Sequence, residues 1–301
     1  MRSVHDRAEI RYCAASGLAE ALPGADVLFV CDFRTRALRD AWSAADRLSW
    51  VHVGATGVDS VLFDELIAGD VTLTNTRGIF DTAIAEYVLA QILNFAKDLP
   101  ESLRLQSEHI WRHRESQRIS GATVLIVGTG PIARNTARLL RATGMHVRGL
   151  GRRAREQDPD FGTVGTDLFA ELPAADYVVA LAPLTPQTRN MFDAQAFTAF
   201  KPHARFINVG RGELVVTDDL VAALRSGALA GAALDVVDPE PLPAGHALWD
   251  LPTVHLTPHN SGDFVGWRRE IIAAFTTNFR NWIDGRPLEN VVDKRLGYVP
   301  A

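Results

Sequence analysis

The sequence predicts an α/β protein built from two doubly wound parallel-sheet domains with a cleft between them. Short apolar runs alternate with stretches of helical periodicity along most of the chain, which is typical of parallel strands connected by helices. A glycine-rich turn at residues 128–130 joins one apolar run to a helical stretch. The chain has 301 residues, of which 47% are hydrophobic and 22% charged, so two globular domains can each bury a core.

Composition and charge narrow the class of protein. The formal net charge of −5 gives no bulk attraction to nucleic acid or to an anionic membrane, so neither is expected as a partner. No apolar run approaches the length of a membrane span, and residues 1–6 do not resemble a signal peptide. Cys13 and Cys31 are too few for a disulfide framework and indicate a reducing, cytoplasmic compartment. No metal site is predicted.

The first domain is predicted to contain a parallel sheet with helices on its faces. The predicted strands are residues 10–13, 26–30, 50–53 and 71–73, and the predicted helices are residues 17–22, 36–45 and 60–68. A helix over residues 81–97 and a second over 101–111, separated by Pro100, lead to the glycine-rich stretch. We therefore expect one domain over residues 1–97 and 284–301, and the other over residues 98–283.

Two loops of the first domain carry candidate binding residues. The segment 54–59 follows a predicted strand and precedes a helix, so its backbone N–H groups can receive a carboxylate. The alternative is a tight turn with Asp59 as the helix N-cap, and the residues alone favour neither. Arg77 lies in the next polar loop, where it either favours an anionic substrate or is an ordinary surface residue.

The stretch from Ser120 to Arg153 organises the second domain. The apolar run 123–127 fits a buried parallel strand, and a helix and a second apolar strand follow the turn. The turn consists of Gly128, Thr129, Gly130, Pro131, Ile132 and Ala133. Its glycines permit a tight turn, and the N–H groups that open the helix suit a pyrophosphate. The pattern predicts dinucleotide binding, with a plain glycine turn as the alternative.

The end of the second apolar strand indicates which dinucleotide is bound. NAD-binding domains place an acidic residue there, about 20 residues beyond the glycines, to bind the ribose 2′-OH. This chain has Gly151, Arg152 and Arg153, with no carboxylate before Glu156. Guanidinium groups bind a 2′-phosphate, whereas an Asp would repel it. The sequence favours NADP(H) over NAD(H), with a solvated basic loop as the alternative.

The rest of the second domain continues the alternation of strands and helices. The predicted strands are residues 177–181, 205–209, 230–234 and 253–256, and the predicted helices are residues 193–199, 217–226 and 263–283. Polar segments follow the strands at residues 181–185, 208–212, 235 and 257–262. Because ligands bind beyond the carboxyl ends of parallel strands, we expect these segments to converge on one edge of the sheet.

Three side chains in these segments suit the reduction of a carbonyl group. His259 is a natural proton donor to a carbonyl oxygen. Glu240 lies between prolines, and a carboxylate bonded to one imidazole nitrogen fixes the tautomer of the ring. Arg211 lies between glycines, and its guanidinium suits a substrate carboxylate and carbonyl together. Taken singly, each is also compatible with an ordinary surface residue.

From about residue 26 to residue 298 the chain resembles the D-isomer-specific 2-hydroxyacid dehydrogenases, whose domains are of the Rossmann and flavodoxin kind. The resemblance is carried by residues 57–59, 128–133, 181–185, 208–212, 231–236, 240–243 and 257–259. The basic pair Arg152 and Arg153 makes the chain similar to the NADP-preferring glyoxylate/hydroxypyruvate reductase branch of that family.

The resemblance implies roles for particular residues. The implied catalytic residues are Arg211, Glu240 and His259, and the implied receptors of the substrate carboxylate are Thr56 and Gly57. Beyond the glycine-rich turn and the two arginines, the expected cofactor-binding residues are Ala182, Pro183, Thr188, Val209, Gly210, Asp235 and Ser261. Among these, Asp235 is expected to bind the nicotinamide carboxamide.

The implied reaction is hydride transfer from NADPH to a small 2-oxo acid, which yields the D-2-hydroxy acid with His259 as general acid/base. The family also implies a homodimer through the cofactor domain, with residues 101–118 contributing. The N-terminus is short for the family, so we expect one strand and helix fewer and a partner over the exposed edge. Two alternatives are a formate dehydrogenase, which has Gln where Glu240 stands, and a non-catalytic NADP(H)-sensing protein of the corepressor type.

Overall fold

The computed structural model describes residues 2–32 and 35–300. The chain divides into two compact units, a first unit of Met1–Phe80 with Phe264–Ala301 and a second unit of Asp81–Asp263. The helices are α1 (Arg2–His5), α2 (Leu18–Ala21), α3 (Ala37–Asp40), α4 (Asp64–Ala68), α5 (Asp81–Lys97), α6 (Leu99–Ser107), α7 (Pro131–Ala142), α8 (Leu168–Glu171), α9 (Ala194–Ala199), α10 (Thr217–Ser226) and α11 (Trp267–Ile283). The strands are β1 (Val27–Val30), β2 (Trp50–Val53), β3 (Thr72–Thr74), β4 (Thr123–Val127), β5 (His146–Leu150), β6 (Arg155–Asp158), β7 (Gly162–Gly165), β8 (Tyr177–Ala180), β9 (Arg205–Asn208), β10 (Gly231–Leu234) and β11 (Val254–Leu256).

The first unit contains a parallel sheet in the order β1-β2-β3. The central strand β2 is buried along its whole length, as its run of apolar and aromatic residues predicts. The C-terminal segment covers the β3 side of the sheet, where the Val292 N–H donates to the Leu73 carbonyl oxygen at 2.8 Å. The chain therefore returns to its first unit after completing the second.

An aromatic cluster joins α11 to the first unit. Phe275 stacks on Phe29 with ring centroids 4.5 Å apart, and on Trp50 at 5.4 Å. The buried His52 lies in the same cluster, 5.6 Å from the Phe275 ring. The first unit thus resumes before α11, whereas the predicted boundary fell after residue 283. Helical periodicity shows that one face of a helix is buried, but not which sheet that face contacts.

The strand predicted at residues 10–13 is wrong. This segment is irregular and largely exposed, and Tyr12 keeps 74% of its surface accessible. Arg11 donates to the carbonyl oxygens of Ala21 and Pro23, at 3.2 and 2.7 Å. Among the described strands β1 pairs only with β2, so the backbone of residues 10–13 forms no hydrogen-bonded pairing with a described strand.

The second unit contains an eight-stranded sheet in the order β11-β10-β9-β8-β4-β5-β7-β6. Neighbouring strands are parallel except for the pair β6 and β7. The largely buried β4 lies inside the sheet, with β5 on one side and β8 on the other. The strand order reverses at β4, and such a switch point is where ligands bind in open α/β sheets. The predicted doubly wound, parallel-sheet fold is confirmed.

The hairpin of β6 and β7 was not predicted, because polar residues give β6 no apolar pattern. Ion pairs hold it instead, since Asp158 pairs with Arg134 at 3.2 Å and with Arg155 at 3.1 Å. Arg134 also pairs with Asp160 at 2.7 Å. The hairpin extends the sheet immediately after the basic segment that follows β5.

The helix α5 packs along α7 and therefore belongs to the second unit. Its buried residues Ile84, Val88 and Ile92 recur at helical spacing. This compact unit begins at Asp81, whereas the predicted boundary lay after residue 97. Among the helices of the described residues, none has both the length and the apolar character needed to cross a membrane.

Candidate active site

Two glycines shape the turn after β4. Gly128 has a φ of 117°, and a Cβ there would lie 2.7 Å from the carbonyl oxygen of Leu181. Gly130 is the N-cap of α7, and a Cβ on it would meet no atom within 4 Å. Pro131 and Ile132 begin the helix, whose first turn has no acidic residue. Open space therefore lies beside Gly130, next to the N–H groups that open the helix, and such groups suit a pyrophosphate.

The end of β5 lies against the same turn. A Cβ on Gly151 would lie 3.0 Å from the side chain of Thr129, so the two backbones approach closely. Arg152 and Arg153 follow directly and are both exposed. Arg155 is engaged in an ion pair within the β6–β7 hairpin. The two predicted 2′-phosphate receptors therefore begin one residue after a contact with the glycine-rich turn.

More of the predicted cofactor-binding residues follow β8 and β9. They are Ala182, Pro183, Thr188, Val209 and Gly210. The Thr188 hydroxyl donates to the Pro183 carbonyl oxygen at 2.6 Å and closes the loop after β8. A Cβ on Gly128 would lie 3.0 Å from the Ala182 nitrogen, and one on Gly210 would lie 3.2 Å from the Ala182 oxygen. These loops thus meet the glycine-rich turn at one edge of the sheet.

His259 and Glu240 form a direct pair. The His259 Nδ1 lies 2.8 Å from Oε1 and 3.1 Å from Oε2 of Glu240. An ionised carboxylate only accepts hydrogen bonds, so Nδ1 carries a proton and donates it. The exposed fractions of the two side chains are 18% and 25%, so the pair is partly shielded from solvent. Because Nδ1 is hydrogen-bonded to Glu240, proton exchange between His259 and a ligand has to use the other ring nitrogen, Nε2.

Asp235 holds the loop that carries His259. Its carboxylate accepts from the Thr257 hydroxyl at 2.6 Å, and from the N–H groups of Asn260 and Ser261 at 2.9 Å each. Its carbonyl oxygen accepts from the His259 N–H at 2.8 Å. Asp235 is only 2% exposed, and these bonds offset the cost of burying its charge. They also hold His259 at a left-handed φ of 54°.

The turn that carries Arg211 contacts the segment leading to Glu240. A Cβ on Gly212 would overlap the carbonyl group of Val237, so only glycine allows this approach. Glu240 in turn contacts His259. The structure therefore brings together the three segments that carry the predicted catalytic residues.

The loop after β3 holds the candidate carboxylate loop of the first unit. The Asn75 side-chain amide donates to the Thr56 carbonyl oxygen at 2.7 Å, and the Thr76 N–H donates to the Ala55 carbonyl oxygen at 3.1 Å. Asp59 begins a 3-10 turn whose N-cap is Val58, so the N-cap role that the alternative interpretation gave to Asp59 is wrong. The backbone around Thr56 is thus fixed by neighbouring groups.

Gly57 and Arg77 are the other predicted substrate-binding residues. Gly57 precedes the buried Val58 in the same loop. The Arg77 guanidinium donates to the carbonyl oxygens of Val299 and Pro300, at 3.2 and 2.9 Å. Arg77 therefore ties its loop to the C-terminal segment, and its binding of a substrate stays a prediction.

The sequence analysis missed Tyr87 and Thr257 as members of the site. The Tyr87 hydroxyl lies 2.7 Å from the Thr257 Oγ1, across a sequence separation of 170 residues. Thr257 directly follows β11 in a polar loop, which is a signal that could have identified it. The sequence around Tyr87 shows only helical periodicity, which does not identify a residue of a site. Burial raises the pKa of Tyr87 to about 12, so its hydroxyl stays protonated near neutral pH.

Comparison with known proteins places this chain in a family. Residues 89–261, more than half of the chain, match the model of the D-isomer specific 2-hydroxyacid dehydrogenase, NAD binding domain. The glyoxylate/hydroxypyruvate reductase A of Serratia proteamaculans is 32% identical over 262 residues, which cover 84% of this chain and 82% of that protein.

Two solved structures share the fold over most of the chain. A D-isomer specific 2-hydroxyacid dehydrogenase family protein from Aeromonas salmonicida has a TM-score of 0.81 and 35% identity, covering 93% of this chain and 88% of that one. The NADPH-dependent glyoxylate/hydroxypyruvate reductase of Sinorhizobium meliloti, solved in complex with NADP and sulfate, has a TM-score of 0.80 and 32% identity, covering 94% and 89%.

The family model, the relatives and the parallel-sheet fold agree with one another and with the resemblance stated from the motifs. The chain is an oxidoreductase, and it belongs to the D-isomer-specific 2-hydroxyacid dehydrogenase family.

Proposed function

We propose that this enzyme reduces a small 2-oxo acid to the D-2-hydroxy acid with NADPH as the reductant. The observation that carries the proposal is the bond of 2.8 Å between the His259 Nδ1 and Glu240, at the sheet edge that also carries the glycine-rich turn. Relatives named as glyoxylate/hydroxypyruvate reductases support a 2-oxo acid as the substrate.

A bound reduced nicotinamide supplies the hydride that is transferred to the substrate C2. His259 donates the proton from Nε2 to the carbonyl oxygen as negative charge develops there. Glu240 accepts from Nδ1–H throughout, so it keeps the ring oriented and favours the charged imidazolium before the transfer. After the transfer His259 is neutral and retains the Nδ1 proton.

Arg211 and the loop of the first unit are proposed to bind the substrate carboxylate. The guanidinium of Arg211 polarises the carbonyl and contacts the carboxylate, because its planar donors match both groups. The backbone N–H groups of Thr56 and Gly57 share the negative charge, and their loop is fixed by the bond of 2.7 Å from Asn75. Arg77 is proposed to add positive charge beside them.

The cofactor is proposed to be NADP(H) in preference to NAD(H). The open space beside Gly130 and the N–H groups of the helix suit a pyrophosphate, and the exposed Arg152 and Arg153 suit a 2′-phosphate. The carboxylate of Asp235 accepts three hydrogen bonds, so one of its roughly four lone-pair positions remains for a carboxamide. The NADP in the Sinorhizobium meliloti structure supports this choice.

A homodimer through the second unit is proposed from the segment around α6. Its exposed apolar residues are Leu99, Leu103, Ile110 and Trp111, and Trp111 is fully exposed. A second copy of the chain would bury this patch. We also propose a cytoplasmic location, because the exposed Cys13 and Cys31 are both free.

A steady-state screen of 2-oxo acids against both reduced cofactors tests the function. We expect turnover of glyoxylate, hydroxypyruvate or phenylpyruvate with NADPH and slower turnover with NADH. Tight NADPH binding without turnover across the panel would support the non-catalytic sensor instead.

A further inference from the structure

We propose that Tyr87 of α5 is a positioning residue for His259, which it holds through a chain of hydrogen bonds ending on Asp235. The proposal rests on the proposed function of His259 as the proton donor. It adds a residue of the helix α5, which lies 170 positions from Thr257 in sequence. None of the bonds described above joins this helix directly to Glu240 or His259.

The direction of each bond at the Asp235 end follows from the atoms involved. The carboxylate of Asp235 can only accept hydrogen bonds, so the Thr257 hydroxyl donates its single hydrogen to this carboxylate, at 2.6 Å. The oxygen of Thr257 must then accept from the Tyr87 hydroxyl, at 2.7 Å. Tyr87 keeps this proton near neutral pH because burial raises its pKa to about 12, and the charge of Asp235 adds to the effect.

Gln91, one helical turn beyond Tyr87 on α5, contacts β11. The Gln91 Oε1 accepts from the Nδ1 of His255 at 3.0 Å. Burial and the neighbouring Arg205 lower the pKa of His255, so the ring is neutral near pH 7 with its proton on Nδ1. This contact ties α5 to β11, the strand that leads into the His259 loop. The bonds from Tyr87 to Thr257 and from Thr257 to Asp235 point the same way, and bonds aligned in this manner strengthen one another.

This chain acts on the His259 loop through one carboxylate. The Oδ1 of Asp235 that receives the Thr257 proton also accepts from the Asn260 N–H at 2.9 Å. The other oxygen accepts from the Ser261 N–H. A Thr257 hydroxyl without the Tyr87 donor is freer to rotate away, which weakens the anchor of the loop. His259 then leaves the left-handed backbone angle that directs its ring at Glu240.

The helix α5 also contacts the helix that opens the candidate cofactor site. It packs along α7, and the Asn135 side-chain amide of α7 donates to the Thr82 hydroxyl of α5 at 3.0 Å. The helix α5 thus contacts both α7, which starts at the glycine-rich turn, and the loop that carries His259. In this position α5 can fix His259, the proposed proton donor, relative to the glycine-rich turn.

The test uses variants that remove single hydroxyl groups from the full-length protein. Tyr87→Phe and Thr257→Val each break the chain, and Thr257→Ser keeps the hydroxyl as a conservative rescue. Tyr177→Phe is the matched control, because Tyr177 is a buried tyrosine of the same unit, on β8. Each variant is measured for kcat, for the KM of oxo acid and cofactor, and for its thermal midpoint.

We expect Tyr87→Phe and Thr257→Val each to lower kcat roughly tenfold, with KM values changed by less than about twofold. The double variant should lose no more than the worse single variant, because both break one chain. Thr257→Ser and Tyr177→Phe should retain the wild-type kcat. A Tyr87→Phe enzyme with wild-type kcat, or an equal loss in Tyr177→Phe, would overturn the proposal.

A readout independent of turnover separates this proposal from the proposed function. In protein labelled with ¹⁵N-histidine, the ring signals of His259 are assigned by their absence in His259→Asn. We expect one set of His259 ring signals with a protonated Nδ1 in the wild type, and several sets or broadened signals in Tyr87→Phe. Unchanged His259 signals would reject the positioning role. Wild-type turnover by His259→Asn would instead reject the proposed function, whatever the spectra show.

Discussion

The side chains of Glu240 and His259 are the residues on which the proposed chemistry depends. Their sequence positions suggested the pair, because both lie in loops after strands whose carboxyl ends share one edge of the sheet. The pair itself needed the structure, since 19 residues separate them and no local pattern directs a side chain across a loop. The same limit explains why Tyr87 was missed.

Replacing Glu240 tests the role of its charge at constant shape. Glu240→Gln can still accept a bond from the His259 Nδ1, but it no longer favours the imidazolium. We expect kcat to fall by about 10- to 100-fold with little change in KM, measured by steady-state kinetics. Asp250→Asn, an exposed carboxylate of the same unit, serves as the control and should keep the wild-type kcat. Equal kcat for Glu240→Gln and wild type would contradict the orienting role.

Replacing both Arg152 and Arg153 by serine tests the choice of cofactor. The proposed partner of the two guanidiniums is the 2′-phosphate, which NADH lacks. The KM for NADPH should therefore rise by about tenfold or more while that for NADH changes little. Titration of each cofactor followed by fluorescence measures the same difference without turnover. Arg225→Ser, on the exposed face of α10, controls for the loss of positive charge. Equal losses for both cofactors would remove the basis for NADP(H).

At the scale of elements, the strands of the second sheet were predictable because buried parallel strands are continuous apolar runs. β4 and β8 are such runs, and both were predicted near their observed limits. The β6–β7 hairpin was not, because ion pairs hold it and these have no periodic signature. The strand predicted at residues 10–13 was wrong for the opposite reason: the segment has an apolar pattern, but its backbone pairs with no described strand.

Lys294 caps the end of α4 and offers a test of how elements of the first unit are held together. Its ammonium donates to the carbonyl oxygens of Leu66, Gly69 and Val71, at 2.9, 2.5 and 3.0 Å. Lys294→Met leaves these carbonyls without the charged donor, so we expect the free energy of unfolding to fall by about 2 kcal/mol in urea denaturation.

The control for that variant is Lys201→Met. Lys201 forms an exposed ion pair with Asp176, and such pairs contribute less than about 1 kcal/mol. A loss for Lys294→Met no larger than that for Lys201→Met would show that the ammonium does not hold the end of α4.

At the scale of the whole molecule, the order of elements predicted two sheets. The predicted boundaries between the units, after residues 97 and 283, differ from those of the structure, where the second unit is Asp81–Asp263. The helices α5 and α11 each have one apolar face, and only their packing partners decide their unit. α5 packs along α7 of the second unit, and Phe275 of α11 stacks on Phe29 of the first. Such long-range pairings are absent from any local window of sequence.

The stability of the protein should depend on pH through the buried His52. Burial lowers its pKa from 6.5 to about 4, so the unfolded chain binds its proton first as the pH falls. The contribution of neutral His52 is complete above pH 6.5 and is lost between pH 6.5 and 4. Between pH 7 and pH 5 the wild type should therefore lose about 2 kcal/mol more than His52→Phe in urea denaturation.

The exposed His146 provides the control for this pH effect. His146→Gln should lose stability on acidification as the wild type does. Parallel pH profiles for His52→Phe and wild type would contradict the burial of a neutral imidazole in the aromatic cluster.

The most direct test of the central claim is a single-turnover reaction of excess enzyme and NADPH with a 2-oxo acid, comparing wild type with His259→Asn. We expect the wild type to oxidise NADPH in one rapid phase, and the variant to be slower by about 100-fold or more although it still binds the cofactor. NADPH oxidation by His259→Asn at the wild-type rate would contradict the account.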